Sequence, residues 1–347
     1  MKKIRVFIVE DSVLMQKIIA DILSGDPDIE VIGSTKYGKE ALEKIPELKP
    51  DIVTLDVNLP DVSGLIVLES LMNAAPVKVV MLSAYTQKGA EATMKALELG
   101  ALDFIPKPSG EVSLDLYNFK DEIISKIKLL AGVSLKKSFI TDIFIDEKAT
   151  TSVKNLVIIG ASTGGPKAII DIMHKIPSQV NANFLIVQHM PKGFTKSFAE
   201  RISWHSGIKV KEVEDGDILT SNVGYVACSG YHMVMEKIPG KKNRHCLRMD
   251  DTPLVNYVRP ALDVTMSSAS EVFEGKNIIG VVLTGMGKDG AEGAEKIKAA
   301  GGRIIIQDEE TSVVYGMPKA VAEKGIADDI MPLNKISAKI MEYLNNG

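Results

Sequence analysis

Short apolar strands at 4–9, 30–33, 52–55, 77–82 and 102–105 alternate with amphipathic helical stretches through the N-terminal part of the chain. Apolar runs too short for helices, separated by helix-length segments, fold as a parallel sheet with helices on both faces. Five such units imply a flavodoxin-like doubly wound α/β domain, which gathers its functional groups at the C-terminal strand ends. At those ends stand Glu10 and Asp11, then Asp56, Ser83 and Lys107. Three carboxylates meeting at one sheet edge repel one another, so the arrangement calls for a hard divalent cation such as Mg²⁺ held by oxygen ligands. The lysine can then contact a phosphoryl oxygen as a point charge.

From about 132 to 152 neither a helical nor a strand period persists, and the segment has the mixed Thr, Ser, Lys and Asp content of a linker. Phe139, Ile140, Ile143, Phe144 and Ile145 lie within it, placed either to dock in a groove or to cover exposed surface of one domain. The expected organisation is a first domain over 1–122, a helix end and linker over 123–152, and a second α/β domain over 153–347 with a mainly parallel sheet. A length of 347 residues suits two domains.

The second domain opens with the apolar run 155–159 followed by Gly160-Ala161-Ser162-Thr163-Gly164-Gly165. This spacing satisfies G-x-S-x-G, a sharp strand-to-helix turn that exposes a serine hydroxyl above a sheet edge. Glycine-rich turns of this kind also cradle phosphates, but the nucleotide patterns fail here. The next strand, 184–187, ends in Gln188-His189 where a ribose-binding acid would stand, and Gly165 is followed by Pro166-Lys167 instead of a Gly-Lys-Ser/Thr sequence. His189 lies at the end of that neighbouring strand, within reach of a serine proton. A third apolar strand, 278–284, runs into Gly285-Met286-Gly287-Lys288-Asp289-Gly290 and brings one carboxylate to the same edge. Ser162, His189 and Asp289 thus form a candidate Ser-His-Asp triad, with nucleophile, base and orienting carboxylate from three strand ends. Their chain order differs from the Ser, Asp, His order of α/β-hydrolases, which implies a different α/β fold. The N–H of Thr163 is the first candidate donor to an oxyanion and that of Met286 the second. His174, His205, His232 and His245 are expected to be surface or structurally satisfied residues. Cys228 and Cys246 have no metal-binding spacing, and Cys228 lacks a glycine elbow and a nearby base.

The strand-end set Glu10, Asp11, Asp56, Ser83 and Lys107, with Leu59-Pro60 and Ser63-Gly64 after the aspartate, resembles the receiver domain of two-component response regulators. The resemblance implies phosphorylation of Asp56 and Mg²⁺ held by Glu10, Asp11, Asp56 and the Asn58 main-chain carbonyl. It also implies that Ser83 and Lys107 engage the phosphoryl group. Glu10 stands where an aspartate is commoner. Joined to a receiver, the Ser162 turn, Gln188-His189-Met190-Pro191 and the Thr284–Gly290 segment resemble the chemotaxis protein-glutamate methylesterase and glutamine deamidase family. Pro253-Leu254-Val255-Asn256, Arg259-Pro260 and Asp263 add to the likeness, with Val258 and Ala261 where that family often has histidine and serine. The implied substrates are glutamyl γ-methyl esters and selected glutamines of methyl-accepting chemotaxis receptors. The implied phosphodonor is a chemotaxis histidine kinase, the implied regulation is a receiver that blocks the Ser162 cleft until phosphorylated, and the esterase site is expected to need no cofactor.

A net charge of −4 argues against a nucleic-acid surface, and the densest basic cluster, Lys241-Lys242-Asn243-Arg244, reads as a solvated loop. No apolar run approaches membrane-spanning length, and the N-terminus lacks a signal-peptide core, so a cytoplasmic protein is expected. Two other classes stay open at this level: a response regulator with a non-enzymatic binding module, and one whose output binds DNA.

Overall fold

The computed structural model describes residues 3–84, 86–107, 116, 117, 119–133, 154–241 and 244–346. Most of the expected linker, 134–152, therefore lies outside the described residues. The chain divides into two units, 1–138 and 139–347.

In the first unit the elements are β1 (Ile4–Val9), α1 (Val13–Ser24), β2 (Ile29–Thr35), α2 (Gly38–Leu48), β3 (Ile52–Asp56), α3 (Gly64–Ala74), β4 (Val79–Ala84), α4 (Gln87–Glu98), β5 (Asp103–Lys107) and α5 (Lys120–Ala131). The strands form one parallel sheet in the order β2-β1-β3-β4-β5, the doubly wound arrangement expected from the alternation. Helices α1 and α5 pack together, and α3 packs between α2 and α4. Side-chain hydroxyls start three of the helices: Ser12 accepts from Met15 N, Ser63 from Leu65 N and Thr86 from Gly89 N. The strand order reverses between β1 and β3, which opens a crevice between Glu10–Asp11 and Asp56.

The second unit contains β6 (Asn155–Ala161), α6 (Gly165–Met173), β7 (Ala182–Gln188), α7 (Thr195–His205), β8 (Lys209–Glu212), β9 (Asp217–Ile218), β10 (Val223–Val226), β11 (His232–Lys237), β12 (His245–Asp250), α8 (Leu262–Val272), β13 (Ile278–Val282), α9 (Ala291–Ala299), β14 (Arg303–Gln307), α10 (Met317–Glu323), β15 (Asp329–Met331) and α11 (Leu333–Asn346). Seven strands make a wholly parallel sheet in the order β15-β14-β13-β6-β7-β10-β8. Strands covered on both faces need apolar side chains in both directions, and β7 and β13 are buried at every position. A three-stranded antiparallel sheet, β11-β12-β9, packs against α8. Here the reversal falls between β13 and β6, so the turns that follow these two strands border one crevice.

Candidate active site and phosphoacceptor site

Ser162 directly follows β6, its N–H donating to Thr284 O at 3.0 Å and its carbonyl accepting from Gly165 N at 2.9 Å. The chain reverses at Gly164, whose φ of +75° lies in the left-handed region that a side chain disfavours. Gly285 lacks a side chain for a different reason: a Cβ there would lie 2.9 Å from the Ser162 Cβ. Backbone thus approaches the serine from the neighbouring strand. His189 follows β7, with its N–H on Ala161 O at 3.1 Å.

The imidazole Nε2 of His189 lies 2.8 Å from Oδ2 of Asp289, so two members of the expected triad are paired across the width of β6. Asp289 is only 2% exposed. Its carboxylate also accepts from Leu262 N at 2.7 Å and Asp263 N at 3.1 Å, and therefore sits at the N-terminus of α8, a helix with no side-chain cap of its own. Burial pushes the Asp289 pKa up. The His189 contact and the two helix N–H groups outweigh it and hold the carboxyl below the usual range. The Asn256 amide joins the cluster, 2.7 Å from Asp263 Oδ2 and 3.3 Å from Asp289 Oδ1. Asp263 shifts the other way, raised first by burial and further by the Asp289 charge, against the Gly293 N–H.

Sequence reasoning placed Asn256 and Asp263 only by resemblance and did not connect them to Asp289. It missed the structural role of Gln188, whose buried amide donates to Ser162 O at 2.8 Å and His189 O at 3.1 Å. No local signal marks such long-range links. The N–H groups of Thr163 and Met286 make no hydrogen bond among the described residues. Thr163 is buried and Met286 is 48% exposed. Of the other histidines, His174 bonds His205 O, His232 bonds Pro253 O and Ala261 N, and His245 bonds Val272 O, each a structural role. Cys228 is pushed up to about 11 by burial and then by Glu212, so it stays a thiol at neutral pH.

At the first unit's sheet edge, ligand oxygens of Glu10, Asp11 and Asp56 lie within 4.8 Å of one another. Lys107 Nζ stands 2.8 Å from Asp56 Oδ2 and 3.1 Å from both Glu10 carboxylate oxygens. Burial and then the neighbouring Asp56 push Glu10 up to about 8. Asp56 is also raised, by burial against the opposing charge of Lys107, and both its oxygens are buried without a well-aligned hydrogen bond. Three carboxylates this close, two of them buried, with both Asp56 oxygens short of donors and one ammonium to answer them, fit a divalent cation with oxygen ligands. Ser83, expected to engage a phosphoryl group, instead donates to Gly89 O at 3.1 Å and accepts from Thr93 Oγ1 at 2.5 Å. Its hydroxyl is held by α4.

A doubly wound domain with this acid–lysine cluster, followed by a parallel-sheet unit bearing a His–Asp pair beside a serine turn, defines a response regulator with an attached α/β output unit. Residues 6–116 match the response regulator receiver domain and 157–340 match the CheB methylesterase model. The chain is 46% identical to the protein-glutamate methylesterase/protein-glutamine glutaminase of Pyrococcus abyssi, over 98% of this chain and 93% of that one. It is 41% identical to the protein of the same name from Thermotoga maritima, over 98% of each. The crystal structure of the Thermotoga maritima CheB methylesterase catalytic domain superposes with a TM-score of 0.52 at 41% identity, covering 56% of this chain and 98% of that one. The chain belongs to the CheB methylesterase family. No helix among the described residues is long and apolar enough to cross a membrane.

Proposed function

We propose that the second unit hydrolyses glutamyl γ-methyl esters of methyl-accepting chemotaxis receptors, and selected receptor glutamines, through an acyl-enzyme on Ser162. The observation that carries this reading is the His189–Asp289 pair, one strand end from the serine turn. Because Nε2 is bonded to Asp289, Nδ1 is the nitrogen left to take the Ser162 proton. Ser162 Oγ attacks the γ-carbonyl carbon while its proton passes to His189. The C–O bond to the methoxy group then breaks, and the imidazolium protonates the leaving oxygen to give methanol; with glutamine the leaving group is ammonia. Water, deprotonated by His189, opens the acyl ester to release glutamate and restore Ser162. Asp289 fixes the ring and stabilises its charged form. The N–H of Thr163 and, from the facing loop, that of Met286 receive the oxyanion.

The receiver takes its phosphoryl group from a chemotaxis histidine kinase onto Asp56. Glu10, Asp11, Asp56 and the Asn58 main-chain carbonyl would hold Mg²⁺, which when bound neutralises charge on the incoming phosphoryl group. Lys107 leaves its bond to Glu10 to meet the new oxygens. Ser83 must give up Gly89 and Thr93 to do the same, which releases its hold on the first turns of α4. The unphosphorylated receiver restrains the esterase, and phosphorylation lifts the restraint.

Methanol release from methylated receptor membranes tests the serine. Ser162→Ala is expected to lose on the order of 10⁴- to 10⁶-fold in turnover. Release at the unsubstituted rate would exclude Ser162 as the nucleophile.

A further inference from the structure

The β6–β7 register ends at the pair Ala161 and Gln188, and its last main-chain hydrogen bond runs from His189 N–H to Ala161 O at 3.1 Å, while the Ser162 N–H turns away to Thr284 O. Beyond that point the two chains diverge, one into the serine turn and the other toward α7. The Gln188 side chain spans the gap. Its Nε2 carries two hydrogens and has two acceptors, Ser162 O at 2.8 Å and His189 O at 3.1 Å. The residue is 1% exposed and its Oε1 is buried without a partner. An unsatisfied buried carbonyl is destabilising, a penalty that an apolar side chain of the same size would avoid. Room for it depends on the serine motif itself, since a Cβ at Gly165 would lie 2.2 Å from Oε1.

We propose that Gln188 is a positioning residue that fixes Ser162 against His189 by carrying the β6–β7 ladder one step past its main-chain end. This rests on Ser162 and His189 being nucleophile and base. The amide touches neither reacting atom. It joins the carbonyls of the two residues whose side chains must meet, and displacements near 1 Å at such a contact cost about 100-fold in rate. A group acting this way affects turnover and leaves substrate binding alone.

The test is steady-state methanol release by the full chain with a small phosphodonor, comparing Gln188→Met, Gln188→Glu and Ser162→Ala. Gln188→Met keeps the length and removes both donors, and is expected to lower kcat by about 10- to 100-fold with KM within about two-fold. Gln188→Glu is expected to lower kcat at least as far at pH 8, where its carboxylate faces two carbonyls. Its kcat relative to the unsubstituted protein should rise as pH falls, because the neutral acid regains one donor. That pH-dependent recovery keeps the proposal testable if Gln188→Met fails to fold. Unchanged kcat in both foldable variants, or a loss confined to KM, overturns the role of Gln188. Activity retained by Ser162→Ala would instead remove the serine reading on which it stands.

Discussion

Four donors converge on the Asp289 carboxylate: the His189 ring, the N–H groups of Leu262 and Asp263, and the Asn256 amide. The folded-state pKa is thereby depressed below its unfolded value, so the resulting stability is present above about pH 4 and is lost as pH falls through the folded pKa. Asp289→Asn removes this charge. Urea titrations should show the variant less stable than the unsubstituted protein at pH 7, with the gap narrowing as pH drops below about 4; a pH-independent gap would contradict the assignment. Turnover should fall by on the order of 10³- to 10⁴-fold, through loss of the orienting charge. Cys228 sits at the opposite extreme, with a thiol raised to about 11. Iodoacetamide at pH 7.5 is expected to leave esterase activity intact and to label Cys228 slowly, and rapid labelling with loss of methanol release would revive a cysteine nucleophile. Ser162, His189 and Asp289 stood out in the sequence because each follows an apolar strand, Asp289 by way of a glycine-rich loop. The Gln188 and Asn256 links did not, because a hydrogen bond formed across the fold leaves no periodicity behind.

At the scale of elements, the turn from β6 to α6 concentrates the constraints. Gly164 holds a left-handed φ, and a Cβ there would lie 2.6 Å from the Val313 Cβ. Gly164→Ala is expected to cost at least about 1–2 kcal/mol from backbone alone, measured by thermal or urea unfolding, and to lower methanol release with it. A variant with unchanged stability and rate would mean that the turn relaxes freely. The five receiver strands and the three strands around the serine could be read from sequence, since the central ones are apolar runs buried on both faces and the edge strand β2 is set off by helical stretches on either side. The segment from β8 to β12 could not. The strand β8, Lys209–Glu212, has four residues, three of them charged, and β9 has two. The antiparallel ladder of β11 with β12 joins residues from His232 to Asp250 in which apolar and charged side chains alternate unevenly. Such strands are fixed by their packing against α8 and the sheet edge, which local sequence does not encode.

For the whole molecule, one design recurs in both units: a parallel sheet whose strand order reverses beside the chemistry, between β1 and β3 in the receiver and between β13 and β6 in the esterase. The Asp56 carboxylate is buried, has the Lys107 ammonium beside it, and stands one strand from a Ser83 hydroxyl bonded to α4. On the proposed mechanism, phosphorylation at Asp56 would compete for both side chains at once, and the response would start at the β4–α4 turn. The central claim, that Ser162 chemistry is controlled from Asp56, is tested most directly by methanol release from methylated receptor membranes, with and without a small phosphodonor and Mg²⁺. The unsubstituted chain should be stimulated, Asp56→Asn should keep its basal rate without stimulation, and Ser162→Ala should release almost nothing in either condition. Equal stimulation of the unsubstituted chain and Asp56→Asn would contradict the account.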